Sequence, residues 1–272
     1  MKITSIVENT SASDMPVEHG LSLYVERTDG KKVLFDMGQH TLFAENAVRL
    51  ALSIEDIDVA VVSHGHYDHG GGLRTFLAMN EKADVYLHRD AFLPHYSMRD
   101  TRLRYIGLDR DLMNNDRLTM CGDMTQIDSA MLLFAGVAGN CCSPAGNRLL
   151  YGPQEDVHDD FRHEQSLIIE EADNCVLFAG CAHKGIVNIM RRAEEVIGHA
   201  PTHVLAGMHL VKSGLNEEDE KTFINCLADQ LRQYRNTMFY TMHCTGEMAF
   251  ESLRSILGNQ IAYLSCGDSI TI

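Results

Sequence analysis

One short segment constrains the fold of this chain more than any other. Residues 63–72 read S-H-G-H-Y-D-H-G-G-G and follow an apolar, β-branched run at residues 59–62 that predicts a strand. Glycines after a strand let the backbone turn sharply toward a cleft, which is where α/β proteins place their sites. The spacing H-x-H-x-D-H supplies three imidazoles and a carboxylate, the ligand types that zinc and related divalent ions prefer. The segment therefore predicts a metal site at a strand end.

The rest of the chain alternates between two periodicities. Short apolar runs rich in β-branched residues recur throughout, and helical spacing begins near Ile186, Glu217 and Thr245. This interleaving predicts a layered α/β (α+β) architecture rather than a β-sandwich or a helix bundle. No repeat or linker interrupts the pattern, so we expect a single domain over residues 1–272. Residues 89–128 are the least regular stretch and are expected to be an insertion over a functional site.

Charge and cysteine content limit the classes of binding partner and the cellular compartment that we expect for this chain. The 272 residues include 23 Lys plus Arg against 38 Asp plus Glu, a formal charge of −15. Such a chain lacks the positive field that nucleic acids and anionic membranes require. No apolar run approaches the roughly 20 residues that span a bilayer, and the start lacks the apolar core of a secretory signal. We expect a cytoplasmic protein with reduced thiols and a small-molecule ligand, while the oligomeric state stays open.

Two later strand ends repeat the construction of the first. A predicted strand at residues 175–178 runs into G-C-A-H-K-G, and one at residues 238–240 runs into H-C-T-G. The repetition predicts His243 as a metal ligand. His183, Cys181 and His163 compete for the middle of the site, with His183 favoured, because imidazole and thiolate both bind zinc.

These motifs resemble the metallo-β-lactamase superfamily, whose signature is a strand-end H-x-H-x-D-H preceded by an Asp-x-Gly turn such as D-M-G at residues 36–38. The resemblance covers nearly the whole chain and implies a four-layer αββα sandwich of two halves, with two metal ions at the seam. It assigns His64 and His66 to one ion, and Asp68 and His69 to the other. Most members place a bridging Asp after the middle strand, whereas this chain has a cysteine there.

The resemblance also implies roles next to the metal ligands. Asp36 would orient a ligand by a hydrogen bond, with turn capping as the alternative. Asp68 would hold one ion and handle a proton, and His209 would contact the substrate, with a buried hydrogen-bonded histidine as the alternative. A nitrogen-rich site favours zinc, with manganese or iron also able to act as the Lewis acid.

Several segments resemble one branch of the superfamily, that of the 7,8-dihydropterin-6-methyl-4-(β-D-ribofuranosyl)-aminobenzene-5′-phosphate synthases. They are E-N-T at residues 8–10 and the segments at residues 63–71, 180–189, 207–210 and 243–246. The resemblance implies a dinuclear metal-dependent hydrolase or transferase acting on a small anionic, phosphorylated metabolite. Glyoxalase-type thioester hydrolysis, phosphodiester hydrolysis and metabolite sensing without turnover stay open as alternatives. The glycines at residues 70–72, Lys184 and His209 are expected to offer donors to such an anion.

Overall fold

A computed structural model describes residues 1–211 and 214–272. Its first part contains β1 (Lys2–Val7), β2 (Ser22–Glu26), β3 (Lys32–Phe35), α1 (Leu42–Arg49), β4 (Val59–Val61), α2 (Tyr67–Gly70), α3 (Leu73–Met79), β5 (Asp84–His88), β6 (Tyr96–Arg99), β7 (Arg102–Tyr105), β8 (Leu118–Cys121) and β9 (Met124–Gln126). The second part contains β10 (Met131–Phe134), β11 (Leu150–Tyr151), β12 (Ser166–Glu171), β13 (Asn174–Ala179), α4 (Ile186–Ile197), β14 (His203–Ala206), α5 (Glu217–Leu231), β15 (Met238–Thr241), α6 (Glu247–Leu257), β16 (Ile261–Tyr263) and β17 (Ser269–Thr271).

Within the described residues, the strands form two seven-stranded sheets of matching construction. The first has the order β17-β1-β2-β3-β4-β5-β8, and the second has the order β16-β15-β14-β13-β12-β10-β9. In the first sheet β3, β4, β5 and β8 pair in parallel, and in the second β13, β14, β15 and β16 do so. The other pairs of both sheets are antiparallel. A small antiparallel sheet has the order β11-β6-β7.

Alternation along the strands of the two large sheets sorts their described side chains into three cores. Phe35 and Phe178 belong to the core between the two sheets, where their ring centroids are 5.6 Å apart. Leu34 instead packs with residues of α1 and α3, and Leu177 packs with residues of α4, α5 and α6. Helices therefore cover the outer face of each sheet, and the predicted αββα sandwich is confirmed.

The start of α5 and the end of α4 lie where local chemistry predicts, whereas α6 begins at Glu247 rather than at Thr245. The Asn216 side chain accepts a hydrogen bond of 2.9 Å from the Asp219 N–H at the start of α5. Gly198 ends α4 with φ of 85°, a left-handed conformation that glycine adopts without strain. None of the helices in the described part of the chain has the length and apolar character needed to cross a bilayer.

The segments that carry the motifs follow the carboxyl ends of parallel strands in both sheets. Asp36 follows β3, and residues 63–69 follow β4. Residues 180–183, residues 207–209 and residues 242–244 follow β13, β14 and β15. The fold thus brings side chains that are far apart in sequence to one edge of the sandwich.

Residues 89–128 are more regular than their sequence indicates. They contain four short strands, of which β8 lies at the edge of the first sheet and β9 at the edge of the second. The hairpin of β6 and β7 joins the small third sheet. These strands are three or four residues long and almost without buried side chains, so they lack the apolar alternation by which strands are recognised.

Candidate metal centre

Five buried histidines share a feature that sequence alone does not reveal. Their Nε2 atoms have no hydrogen-bond partner among the residues that the structure describes, at His64, His66, His88, His95 and His183. Three of them, His64, His66 and His183, lie together. The same residues form a group whose potential ligand atoms lie within 4.8 Å of one another. Unpaired buried nitrogens are costly unless something binds them. This first set therefore fits a divalent cation held by three imidazoles.

The opposite nitrogens of two of these rings have protein partners that fix the ring orientation. The Nδ1 of His64 lies 2.9 Å from Ser63 Oγ. The Nδ1 of His183 lies 3.1 Å from Asn147 Oδ1, and the ring stacks on Phe161 at 4.5 Å with 6° between the planes. The Asn147 amide nitrogen donates to the His183 carbonyl, so its oxygen can accept from Nδ1. A proton held on Nδ1 leaves the Nε2 lone pair for a cation.

A second set lies beside the first and consists of Asp68, His69 and His243. The Nε2 atoms of His69 and His243 are 3.2 Å apart. Asp68 Oδ2 lies 3.9 Å from the first of these nitrogens and 3.6 Å from the second. Two nitrogens of a tetrahedral zinc site are separated by roughly 3.3 Å when the Zn–N distance is about 2.0–2.1 Å. The second set therefore also fits a divalent ion.

Hydrogen bonds at the Nδ1 atoms hold the two imidazoles of the second set. The Nδ1 of His69 lies 2.6 Å from Asp36 Oδ2, and the Nδ1 of His243 lies 2.8 Å from Asn9 Oδ1. A proton on each Nδ1 would donate to its neighbouring oxygen and leave the Nε2 lone pair for a cation. Asp36 also accepts from the N–H and the Oγ of Ser63, at 2.7 and 2.8 Å. Its buried carboxylate orients a residue of each set, directly or through the serine hydroxyl.

Cys181 lies between the two sets. Its Sγ is 3.1 Å from His69 Nε2, and the residue belongs to one candidate group with His64 and His69 and to another with His243 and Cys244. Burial raises the pKa of the Cys181 thiol, and the neighbouring Cys244 raises it further. A cation is what would release the proton of such a thiol.

His163 differs from the histidines of the first set because both of its ring nitrogens have protein partners. Its Nδ1 accepts from the Gly65 N–H at 2.9 Å, and its Nε2 lies 3.2 Å from Asp159 Oδ2. Asp159 in turn holds His95 Nδ1 at 2.8 Å. These three residues also group with His66 as potential ligands. Both nitrogens of His163 have protein partners, and the first set receives its third nitrogen from His183 instead.

His209 is placed next to the first set. Its ring centroid is 4.3 Å from that of His183, and both residues form a candidate ligand group with Cys181. The His209 Nδ1 is buried and has no hydrogen-bond partner in the described part of the chain, so the residue is not the satisfied core histidine that was the alternative. Its backbone has φ of 49°, an uncommon conformation for a residue other than glycine.

Burial sets the protonation of the site. Burial lowers the pKa of His64, His66 and His183 well below the usual value, and neighbouring imidazoles lower it further. Burial alone would raise the pKa of Asp68, but the histidines around its carboxylate hold it well below its usual range. Neutral imidazoles and an ionised carboxylate are the forms that bind divalent ions. Burial lowers the pKa of His69 too, but Asp36 and Asp68 raise it above its usual value, so a cation bound there would displace a proton.

A buried glutamate supports the turn that carries His183. The Glu164 carboxylate accepts from the N–H of His183 at 2.6 Å and from the N–H of Lys184 at 2.9 Å. Burial raises the pKa of Glu164 to about 7, although these two hydrogen bonds oppose the shift. The residue fixes the backbone between β13 and α4, and the sequence offers no motif that identifies it.

Both sets open into one cavity of about 240 Å³. His66, Asp68, Cys181, His183, His209 and His243 line it, as do His19, Arg99 and Ile106. His19 Nε2 lies 3.2 Å from Asp68 Oδ2, and its ring centroid is 4.8 Å from that of His243. His19 comes from an irregular segment between β1 and β2 with no recognisable motif, and sequence reasoning missed it.

Two expected anion donors face elsewhere. The N–H groups of Gly70, Gly71 and Gly72 donate to the carbonyls of His66, Tyr67 and Gly38. The expectation that this turn binds an anion is therefore wrong, because its donors are already used within the protein. Lys184 Nζ lies 3.3 Å from the Asp160 carbonyl, and the residue is not among those that line the cavity.

Comparisons with known proteins identify a matching family and two similar sequences. A family model described as the metallo-beta-lactamase superfamily matches residues 15–183. An uncharacterized protein of Methanocaldococcus jannaschii is 29% identical over 99% of this chain and 100% of its own length. The 7,8-dihydropterin-6-methyl-4-(β-D-ribofuranosyl)-aminobenzene-5′-phosphate synthase of the same organism is 22% identical over 90% of this chain and 88% of its own.

Two solved structures resemble this chain over its whole length. Tm1679, a metal-dependent hydrolase of the β-lactamase superfamily, superposes with a TM-score of 0.83 and 28% identity, over 100% of this chain and 99% of that one. A diphosphatase of the PhnP family superposes with a TM-score of 0.57 and 12% identity, over 100% of this chain and 97% of that one. At that identity, the second likeness concerns the fold alone.

Proposed function

The chain belongs to the metallo-β-lactamase superfamily, and from that membership we propose that it is a dinuclear metal-dependent hydrolase, with zinc as the first choice of metal and manganese or iron as alternatives. The observation that carries the proposal is the pair of adjacent ligand sets that open into one cavity. The first set offers three unpaired Nε2 atoms. The second offers two facing nitrogens and a carboxylate oxygen.

The chemistry divides between the metal ions and the chain. Divalent ions bound in these sets would supply Lewis-acid activation of water and of a carbonyl or phosphoryl oxygen. Asp68, which lines the cavity and lies 3.2 Å from His19 Nε2, can accept a proton and pass it to that half-exposed imidazole. His209 presents an unpaired nitrogen beside His183 and can donate to a bound substrate.

We propose a small, anionic, phosphorylated metabolite as the substrate. The cavity of about 240 Å³ suits a small molecule rather than a polymer. Its lining includes Arg99 of β6, whose guanidinium can pair with a phosphate. The compound from which the synthase relative takes its name carries a 5′-phosphate. That relative also favours group transfer as the second candidate activity.

Metal content tests the dinuclear proposal. Protein purified without chelators and reconstituted with zinc, manganese or iron is expected to hold about two ions per chain by elemental analysis. His64→Ala should lose metal, since it removes one Nε2 of the first set. His199→Ala is the matched control, because His199 is exposed and pairs with Glu170 outside the site. A stoichiometry that stays below one ion per chain after reconstitution would rule out the dinuclear centre.

A substrate panel tests the activity and the substrate class separately. Metal-replete protein is assayed by turnover and by thermal shift on phosphorylated metabolites, pterins, glutathione thioesters, lactams and uncharged esters. We expect phosphorylated compounds to bind and to be turned over. Arg99→Ala should weaken the binding of phosphorylated compounds more than the binding of uncharged esters. Efficient turnover of uncharged esters without binding of any phosphorylated compound would refute the substrate class. Tight binding without turnover of any compound would favour a sensor over an enzyme.

A further inference from the structure

Three cysteines form a cluster outside the metal centre. Cys142 Sγ lies 3.4 Å from Cys226 Sγ and 3.9 Å from Cys141 Sγ. Cys226 is on α5, and the other two precede the short helical turn Ala145–Leu149. Cys226 is exposed, so the pair is open to reagents in solution. The other five cysteines, at residues 121, 175, 181, 244 and 266, are buried.

The loop that carries Cys142 is held in place on the α4 side. Cys142 has φ of 47°, a left-handed conformation that costs energy for residues other than glycine. The Cys141 N–H donates to Asn188 Oδ1 at 3.1 Å, and Asn188 Nδ2 donates to the Cys141 carbonyl at 3.0 Å. The first turn of α4 thus fixes the backbone on one side of Cys142. The strained residue directs its thiol toward α5.

We infer that Cys142 and Cys226 are a redox-modification site, at which a low-molecular-weight disulfide converts the two thiols into an intramolecular disulfide. The thiolate of Cys226 attacks the external disulfide, which forms a mixed disulfide and releases one thiolate of the oxidant. Cys142 then attacks the Cys226 sulfur and releases the second. Two thiols are oxidised, the external disulfide is reduced to two thiols, and the two protons leave with them.

The local environment sets this order of attack. Burial raises the pKa of the Cys142 thiol, and the neighbouring thiols raise it further, so the inner cysteine is the poorer first nucleophile. Once the mixed disulfide has formed on Cys226, the inner thiol is already 3.4 Å from the sulfur it attacks. Proximity of this kind replaces a bimolecular step by an intramolecular one.

The proposed bond has a structural consequence near the metal centre. It would join α5 to a loop that continues into the turn carrying Asn147, whose side chain contacts His183 Nδ1. It would also bridge residues 84 positions apart in the chain. A crosslink over so long a loop restricts the unfolded chain strongly.

Peptide mapping tests the pairing. Metal-replete, reduced protein is equilibrated with graded ratios of reduced to oxidised glutathione, alkylated and digested without reductant. We expect one crosslinked peptide pair, Cys142 with Cys226, that dithiothreitol reverses. The oxidised protein should melt at least about 2 °C above the reduced protein. Cys226→Ser should abolish both the crosslink and the rise in Tm.

Cys141→Ser is the matched control, because Cys141 precedes Cys142 directly in the sequence and both residues are half-buried. It should retain the crosslink and the rise in Tm. A bond between Cys141 and Cys142, between Cys141 and Cys226, or between Cys181 and Cys244 would overturn the assignment. So would mixed disulfides on Cys226 that never resolve. Oxidation that proceeds only after a chelator strips a metal ion from the thiols would identify a metal site instead.

Discussion

Replacing Asp36 with asparagine tests how the second ligand set is held. Asp36 Oδ2 lies 2.6 Å from His69 Nδ1, so the carboxylate keeps the proton on Nδ1 and leaves Nε2 free to bind metal. The asparagine side chain would place an NH₂ donor at that position. The ring would then carry its proton on Nε2, the atom that the proposed ion needs. Asparagine tolerates the φ of 62° at this residue, so the backbone is preserved.

The size of the effect follows from the contacts that change. The amide oxygen of the new side chain can still accept from the Ser63 N–H, which lies 2.7 Å from Oδ1. The variant loses the charge-assisted hydrogen bond to the imidazole, in a fully buried position. Loss of a partner that orients a metal-binding histidine lowers metal affinity about 10- to 100-fold, or about 1.4–2.8 kcal/mol. The Ser63 hydroxyl also loses its acceptor at Oδ2, but it can still accept from His64 Nδ1, so the first set should be weakened less than the second.

Competition with a chromophoric chelator measures the two zinc affinities separately. We expect Asp36→Asn to weaken one of the two ions by about 10- to 100-fold and to change the other by less than about threefold. Asp56→Asn is the control, because it removes the same charge from an exposed carboxylate that pairs with Lys32, away from the site. It should leave both affinities unchanged.

Two outcomes would refute this reasoning. Two zinc affinities equal to those of the native protein would show that the carboxylate does not control the ring of His69. Equal losses at both sites would show that the first set depends on the Asp36 carboxylate as strongly as the second set does. Circular dichroism of the metal-free variant separates both outcomes from a general loss of structure.

Three further predictions concern the middle of the site, the core and the pH dependence of stability. If Cys181 is a ligand, cobalt-substituted protein should show an intense thiolate charge-transfer band that Cys181→Ser abolishes; a band that survives excludes it. Phe178→Ala should lower the free energy of unfolding by about 3–5 kcal/mol in denaturant titrations, since Phe178 is fully buried between the sheets. Although burial opposes the shift, Lys31 and Arg27 help to lower the pKa of Asp128 to about 2. The ionised carboxylate stabilises the fold at pH values above its ordinary pKa near 3.8, and this contribution is lost as the pH falls toward 2. Asp128→Asn should therefore lower the free energy of unfolding by about 1 kcal/mol at pH 7 and leave it unchanged below pH 2, as measured by denaturant titrations at the two pH values.

The sequence predicts the second half of the fold better than the first. The helix from Ile186 to the stop at Gly198 and the cap at Asn216 are read from apolar spacing and capping residues, and the structure has both. The helices α1 and α3 were missed because they are eight and seven residues long and give too short a periodic signal. Strands β6 and β7 were missed because neither has a buried side chain, so neither shows apolar alternation.

In the candidate site, too, the contacts between residues close in sequence could be predicted, and the contacts between distant segments could not. His64, His66, Asp68 and His69 occupy one strand end, so their nearness follows from their spacing. The approach of His19 to Asp68 cannot be read from sequence, because it depends on how the segment between β1 and β2 crosses the sheet edge.

The choice between His163 and His183 shows why ligand type and spacing are insufficient. Both residues follow the predicted pattern, and both rings are buried near His64 and His66. Their partners distinguish them. Asn147 contacts only the Nδ1 of His183 and leaves its Nε2 unpaired, whereas the Gly65 N–H and Asp159 occupy both nitrogens of His163. Which ring nitrogen a histidine leaves free for a metal ion therefore depends on residues that are distant in sequence.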